Sequence, residues 1–153
     1  MTGSLLIETP RRPRSQLTTL RAPLMKTQGE MEAAICAGIN GFELEYLGRG
    51  AKDVNVHLMG DMLVIRLTGV MTAAEQHLGQ SRHTERGQDL VKQVRTLLVE
   101  TARPMLDAMI QGITGVNVLS LHHDICTVTG EEIFVATLAR APIYRDTKRR
   151  WTE

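Results

Sequence analysis

The sequence predicts an α+β domain: one antiparallel four-stranded sheet made of two hairpins, with helices packed on one face. Three observations carry this reading. Residues 52–67 hold two alternating apolar runs around Gly60-Asp61, a two-residue turn with Gly first, as a type II′ hairpin wants. Residues 116–138 repeat the pattern around a longer turn containing Gly130. Before and between the hairpins, apolar residues recur at helical spacing behind capping motifs. The order is therefore α-β-β-α-α-β-β, and hairpins joined in this way most simply share one sheet.

The first helix opens at Thr27-Gln28-Gly29-Glu30, a capping box in which hydroxyl and carboxylate satisfy each other's backbone amides. Met31, Ile35, Ile39, Phe42 and Tyr46 follow at helical spacing, and Gly48 offers the C-cap. Gly38 and Gly41 inside it cost about 1 kcal/mol each against Ala. Either a neighbour packs closely there or the weakness is tolerated.

In the first hairpin, counting outward from the turn pairs Leu58 with Leu63, Val56 with Ile65 and Val54 with Leu67 on one face. Met59 then meets Met62, His57 meets Val64 and Asn55 meets Arg66 on the other. A second capping box, Thr72-Ala73-Ala74-Glu75, opens a short helix to about Gln80, and a polar loop follows to Arg86. From Gly87, the residues Leu90, Val94, Leu97, Leu98, Leu106, Met109, Ile110 and Ile113 mark a long amphipathic helix. Pro104 removes one of its hydrogen bonds and predicts a kink near Thr101 or a break into two helices. In the second hairpin Val116, Val118 and Ser120 alternate with Asn117, Leu119 and Leu121, and Glu132–Leu138 returns with Ile133 and Val135 out of phase with Phe134 and Ala136.

Three segments follow: a flexible basic tail at 1–26, one α+β domain at 27–142 and a basic tail at 143–153. Net charge is +1, so no global field recruits nucleic acid or an anionic membrane. Aromatic residues make up 3%, too few for the stacking platforms that hold single strands. Cys36 and Cys126 form no CxxC motif and read as reduced thiols of a cytoplasmic protein. No apolar run reaches the ~18 residues that a membrane span needs.

Candidate chemistry is sparse. Gly48-Arg49-Gly50-Ala51-Lys52 reads first as a helix cap and turn, with Arg49 and Lys52 as anion ligands in the alternative reading. His122, Asp124 and Cys126 share one face of a strand, which makes a metal site geometrically possible. A polar strand end is the simpler account, and His57 could join only if its strand were adjacent. Cys126 with His122 or His123 is the one local nucleophile–base candidate. Glu131-Glu132 falls in a turn and reads as solvated. No cofactor motif is present, and the chain reads as a non-enzyme. The mixed face of Asn55, His57, Met59, Met62, Val64 and Arg66 reads as an interaction surface, since Met-rich surfaces adapt to partners.

Several ordered motifs resemble the MpsC-like family: Gly48-Arg49-Gly50, Val54–Leu58, Gly60-Asp61, Val64–Val70, Thr72–Glu75, Val94-Arg95, Thr114-Gly115-Val116 and His123-Asp124. The resemblance covers about residues 28–142. Family members usually have Gly-Pro where this chain has Gly50-Ala51, which implies a looser entry to the first strand. The family is named for a sodium-translocating, membrane-potential-generating system. The resemblance implies an accessory subunit linked to membrane transport of ions or inorganic carbon, and it brings no catalytic residues. The expectation is a homodimer with a further protein partner; the alternative is a sensor that responds to a small anion or a metal.

Overall fold

A computed structural model describes residues 25–81 and 84–146. The tails expected at 1–26 and 143–153 fall mostly outside these residues. Arg145 does lie within them, and its amide donates to the Lys26 carbonyl at 2.9 Å.

Helix α1 spans Gln28–Leu47 behind the Thr27/Glu30 capping box and ends at Gly48 in the left-handed region, φ 74°. Strands β1 (Asp53–Met59) and β2 (Met62–Thr68) form the first hairpin in the register that the turn dictates, from Leu58 against Leu63 to Val54 against Leu67. Gly60 has φ 64° while no non-glycine residue among those described has positive φ. That combination fits a type II′ turn and excludes type I′, which needs positive φ at both central positions. Helix α2 (Ala73–Gly79) follows its own capping box, and α3 (Thr84–Thr114) precedes the second hairpin, β3 (Val118–Cys126) and β4 (Glu131–Leu138).

The four strands form one antiparallel sheet in the order β1-β2-β4-β3. The two returning strands thus lie at its centre, and β1 and β3 are its edges. A bulge at Leu119 pairs Val118 with Leu138 but Ser120 with Thr137, breaking the simple alternation read for β3. Leu58, Leu63, Ile65, Leu67, Ile125, Phe134, Ala136 and Leu138 point to one face and pack against α1 and α3. The helices cover that face only.

Three expectations change. The polar loop expected to Arg86 ends sooner, since α3 begins at Thr84, and of the two outcomes read for Pro104 the break does not occur: α3 runs as one 31-residue helix. The phase of its first half also differs: Val91, Arg95, Val99 and Ala102 are buried, whereas Leu90, Val94 and Leu97 are exposed. Of Gly38 and Gly41, only Gly38 meets a close neighbour, since a Cβ there would lie 2.7 Å from the Met109 sulfur; nothing approaches Gly41 within 4 Å.

Candidate functional site

The core of this domain holds charge. Glu43 follows Ile39 by four residues on the buried row of α1, Arg95 sits four residues from both Val91 and Val99 on α3, and Glu132 alternates with Phe134 on β4. Each occupies the core phase of its element, and none of the three is reached by solvent.

Arg95 joins four elements. Its Nε and Nη2 donate to the two oxygens of Glu75 at 2.7 and 2.9 Å, a bidentate pair. Nη2 also donates to the Val70 carbonyl at 2.9 Å, and Nη1 donates to Glu132 at 2.9 Å and lies 3.7 Å from Glu43. Glu75 is the capping-box residue of α2 and accepts from the Thr72 amide at 2.7 Å as well. Burial opposes ionisation of Glu75, but the hydrogen bonds from Arg95 and Thr72 outweigh it and hold this carboxyl below its usual range.

Glu43 goes the other way. Burial first, then the charge of Glu132, push its carboxyl up to about 9. It therefore keeps a proton at neutral pH and faces Glu132 as an acid rather than as a second anion. The other oxygen of Glu132 meets His123 Nε2 at 2.5 Å, and the His123 ring lies against Phe134 at a tilt of 43° with centroids 4.8 Å apart. His123 Nδ1 is buried without a hydrogen-bond partner. The chain Glu75–Arg95–Glu132–His123 runs from the start of α2 through the core to the edge strand.

Glu132 thus departs from the solvated turn residue that its neighbourhood suggested. Glu131 stays at the surface, where Arg66 reaches it at 2.6 Å. His122, Asp124 and Cys126 do share the outer face of β3, but i, i+2, i+4 spacing separates the ends by about 13 Å. Asp124 is bound by Lys92 at 2.9 Å, and among the described residues no three His, Cys, Asp or Glu side chains converge on a metal position. His57 lies on the opposite edge strand, three strands away. Cys126 is exposed on the outer face while His123 turns inward to Glu132, so the two form no nucleophile–base pair. Arg49 donates to the Met71 carbonyl at 3.1 Å and so pins the chain leaving β2, while the Lys52 amide donates to the Thr68 carbonyl at 2.8 Å. On the outer face the sheet pairs Met59 with Met62 and aligns His57, Val64, Val135 and His122 in one row and Asn55, Arg66, Ile133 and Asp124 in the next.

The family described as "Na+-translocating membrane potential-generating system (MpsC)" matches residues 27–140, the whole of the sheet and its helices. The chain belongs to the MpsC family. A relative in Bacillus subtilis (strain 168), "Uncharacterized protein YbcI", is 36% identical over 115 residues, which cover 75% of this chain and 90% of that protein. No solved structure matches. The MpsC match takes in Glu43, Glu75, Arg95, His123 and Glu132 alike, so the buried network lies wholly inside the family region. No helix among the described residues is long and apolar enough to cross a membrane.

Proposed function

We propose that the protein is a non-enzymatic accessory subunit of the cytoplasm that acts through protein–protein contacts, in association with a membrane transport system of the kind its family is named for. One observation carries this reading: the helices cover a single face of the sheet. The other face presents Met59 and Met62, 52% and 41% exposed, beside half-buried Val64, Ile133 and Val135. An apolar centre of this kind is what interaction surfaces offer, and flexible Met side chains fit it to a partner.

The partner on this face is a second copy of the chain. A two-fold interface must be self-complementary, and here the charges come already paired, Arg66 with Glu131. Covering the centre of the face therefore leaves neither of these two charges alone. A second surface favours a further partner. Leu90, Val94 and Leu97 are exposed on α3, with Leu78 of α2 also exposed. Their 4-3 spacing is that of a seam that receives another helix. A small domain with two such surfaces suits an adaptor.

Sedimentation velocity of the wild type and of Met62→Glu tests the sheet pairing. The expected result is a dimer that becomes a monomer on substitution with its circular dichroism unchanged. A wild-type monomer at all concentrations, or a dimer indifferent to the substitution, rejects it.

A further inference from the structure

We propose that the end of the domain where the chain enters and leaves is a docking site for an anionic lipid bilayer, held by basic residues of both chain ends and seated by the apolar side chains of Met25, Ile143 and Tyr144. The Arg145 amide donates to the Lys26 carbonyl at 2.9 Å, so the two ends of the described chain lie side by side. Residues 141–144 also line a groove with Leu58 and Gly60, which sets this pole at the β1–β2 turn. The inference goes beyond the accessory role and does not rest on it, since it is drawn from the placement and charge of the chain ends.

The whole-chain charge of +1 is unevenly divided. Residues 1–26 hold five basic side chains against one acid, and residues 143–153 hold four against two. The two ends thus carry +6 and the domain between them −5. Because a residue advances the chain by at most ~3.6 Å, the Cα atoms of Arg21 and of Lys148, Arg149 and Arg150 lie within about 15 Å of Met25 or Asp146. With Lys26 and Arg145 they place six cations at the pole, against the acids Glu30, Asp61 and Asp146; Arg145 itself lies 3.9 Å from Glu30. A body that is acidic except at one end turns that end toward an anionic surface.

The apolar component decides the class of surface. Met25, Ile143 and Tyr144 are 50%, 70% and 44% exposed and sit among these cations. A nucleic-acid backbone attracts basic side chains by charge and makes no use of exposed Ile or Met. A bilayer takes such side chains into its interface, where Tyr and Trp are enriched. Trp151, the one tryptophan, directly follows Lys148-Arg149-Arg150. Basic and apolar signals together anchor a protein where either alone gives marginal binding. The pole would therefore hold the domain reversibly at a membrane surface without a span.

Titration of the full chain with lipid vesicles, read by the emission of Trp151 and by flotation, tests the proposal. Vesicles of phosphatidylcholine and phosphatidylglycerol in equal parts should bind the protein and shift the emission to the blue, whereas phosphatidylcholine alone should do neither. Raising the salt should weaken the binding, since exposed charges are screened. Lys148→Gln, Arg149→Gln and Arg150→Gln together should weaken it about a hundredfold, at about fivefold for each basic side chain near such a surface. Ile143→Ser alters an exposed position without changing the charge and should still weaken it several-fold, because apolar area is lost from the interface. An unshifted emission with the anionic vesicles, equal binding to phosphatidylcholine alone, binding indifferent to salt or to either variant, or tighter binding to a duplex DNA oligonucleotide than to the vesicles would overturn it.

Discussion

Arg95 of α3 and Glu132 of β4 lie 2.9 Å apart with neither side chain open to solvent. Around this pair the domain is closed: Glu75 brings the start of α2, Val70 brings the chain leaving β2, and Glu43 brings α1. An isolated buried charge would be expelled, and this one is kept because four oxygens, two of Glu75 and one each of Val70 and Glu132, accept from one guanidinium.

Arg95→Met should accordingly destabilise the fold by about 3–5 kcal/mol, the usual cost of stranding buried partners of an ion pair. Adding Glu132→Gln to Arg95→Met should recover part of that loss, because the stranded anion is removed. Urea unfolding of the three proteins checks this. Equal stability of the single variant and the wild type would show that the guanidinium is dispensable.

Much of the fold is legible in the sequence where interactions are local. A two-residue turn with Gly60 at positive φ leaves the β1–β2 pairing no freedom, and both capping boxes form as their spacing requires. The order of the strands is not legible, because the contact of β2 with β4 joins residues about seventy positions apart and no local pattern encodes it. The phase of α3 misleads for a physical reason. Leu90, Val94 and Leu97 look like a core row, but the buried row runs through Arg95, whose burial is tolerable only with Glu75 and Glu132 beside it. The site was nevertheless signalled: Glu43, Arg95 and Glu132 each interrupt an apolar row at its own period.

Glu43 makes stability depend on pH with a defined sign. Its carboxyl holds its proton up to about 9 in the folded state, against an ordinary value of 4.5. Between these values the folded protein binds a proton that the unfolded chain has released, so stability falls as pH rises. The slope is ~1 kcal/mol per pH unit and levels off above the folded value. Glu75 acts oppositely: its depressed value contributes stability above 4.5 that is lost as pH falls through its folded value. Glu43→Gln cannot ionise, so its advantage over the wild type should widen by roughly 2–3 kcal/mol from pH 6 to pH 8. Denaturation curves at three pH values read this directly, and parallel pH profiles would contradict it.

Two surfaces of opposite character should respond separately to substitution. Leu97, 63% exposed on α3, lies on the opposite side of the domain from the uncovered face of the sheet. Leu97→Glu should leave the dimer and the melting temperature unchanged, since exposed substitutions usually fall within ±0.5 kcal/mol, while releasing a partner helix. Crosslinking in cells with wild type, Met62→Glu and Leu97→Glu in parallel should give three different patterns. A Leu97→Glu protein that falls to a monomer would move the self-pairing from the sheet to the helix.

Three glycines distinguish close packing from tolerated weakness. A Cβ on Gly87 would lie 2.0 Å from the Leu78 carbonyl oxygen, a backbone atom that cannot swing aside. Gly87→Ala must therefore part α2 from α3 and should cost about 1–3 kcal/mol, as overpacking does. Gly41 is an exposed position inside α1 with nothing within 4 Å of an added Cβ and with helical backbone that Ala prefers. Gly41→Ala should stabilise by about 0.5–1 kcal/mol. Gly38 lies between these cases, because the atom it would meet is the sulfur of Met109, the movable end of a flexible side chain. Gly38→Ala should fall between the other two in melting temperature. An order other than Gly41→Ala above Gly38→Ala above Gly87→Ala would mean that the helices can shift as rigid bodies, which the Arg95 clamp between α2 and α3 opposes.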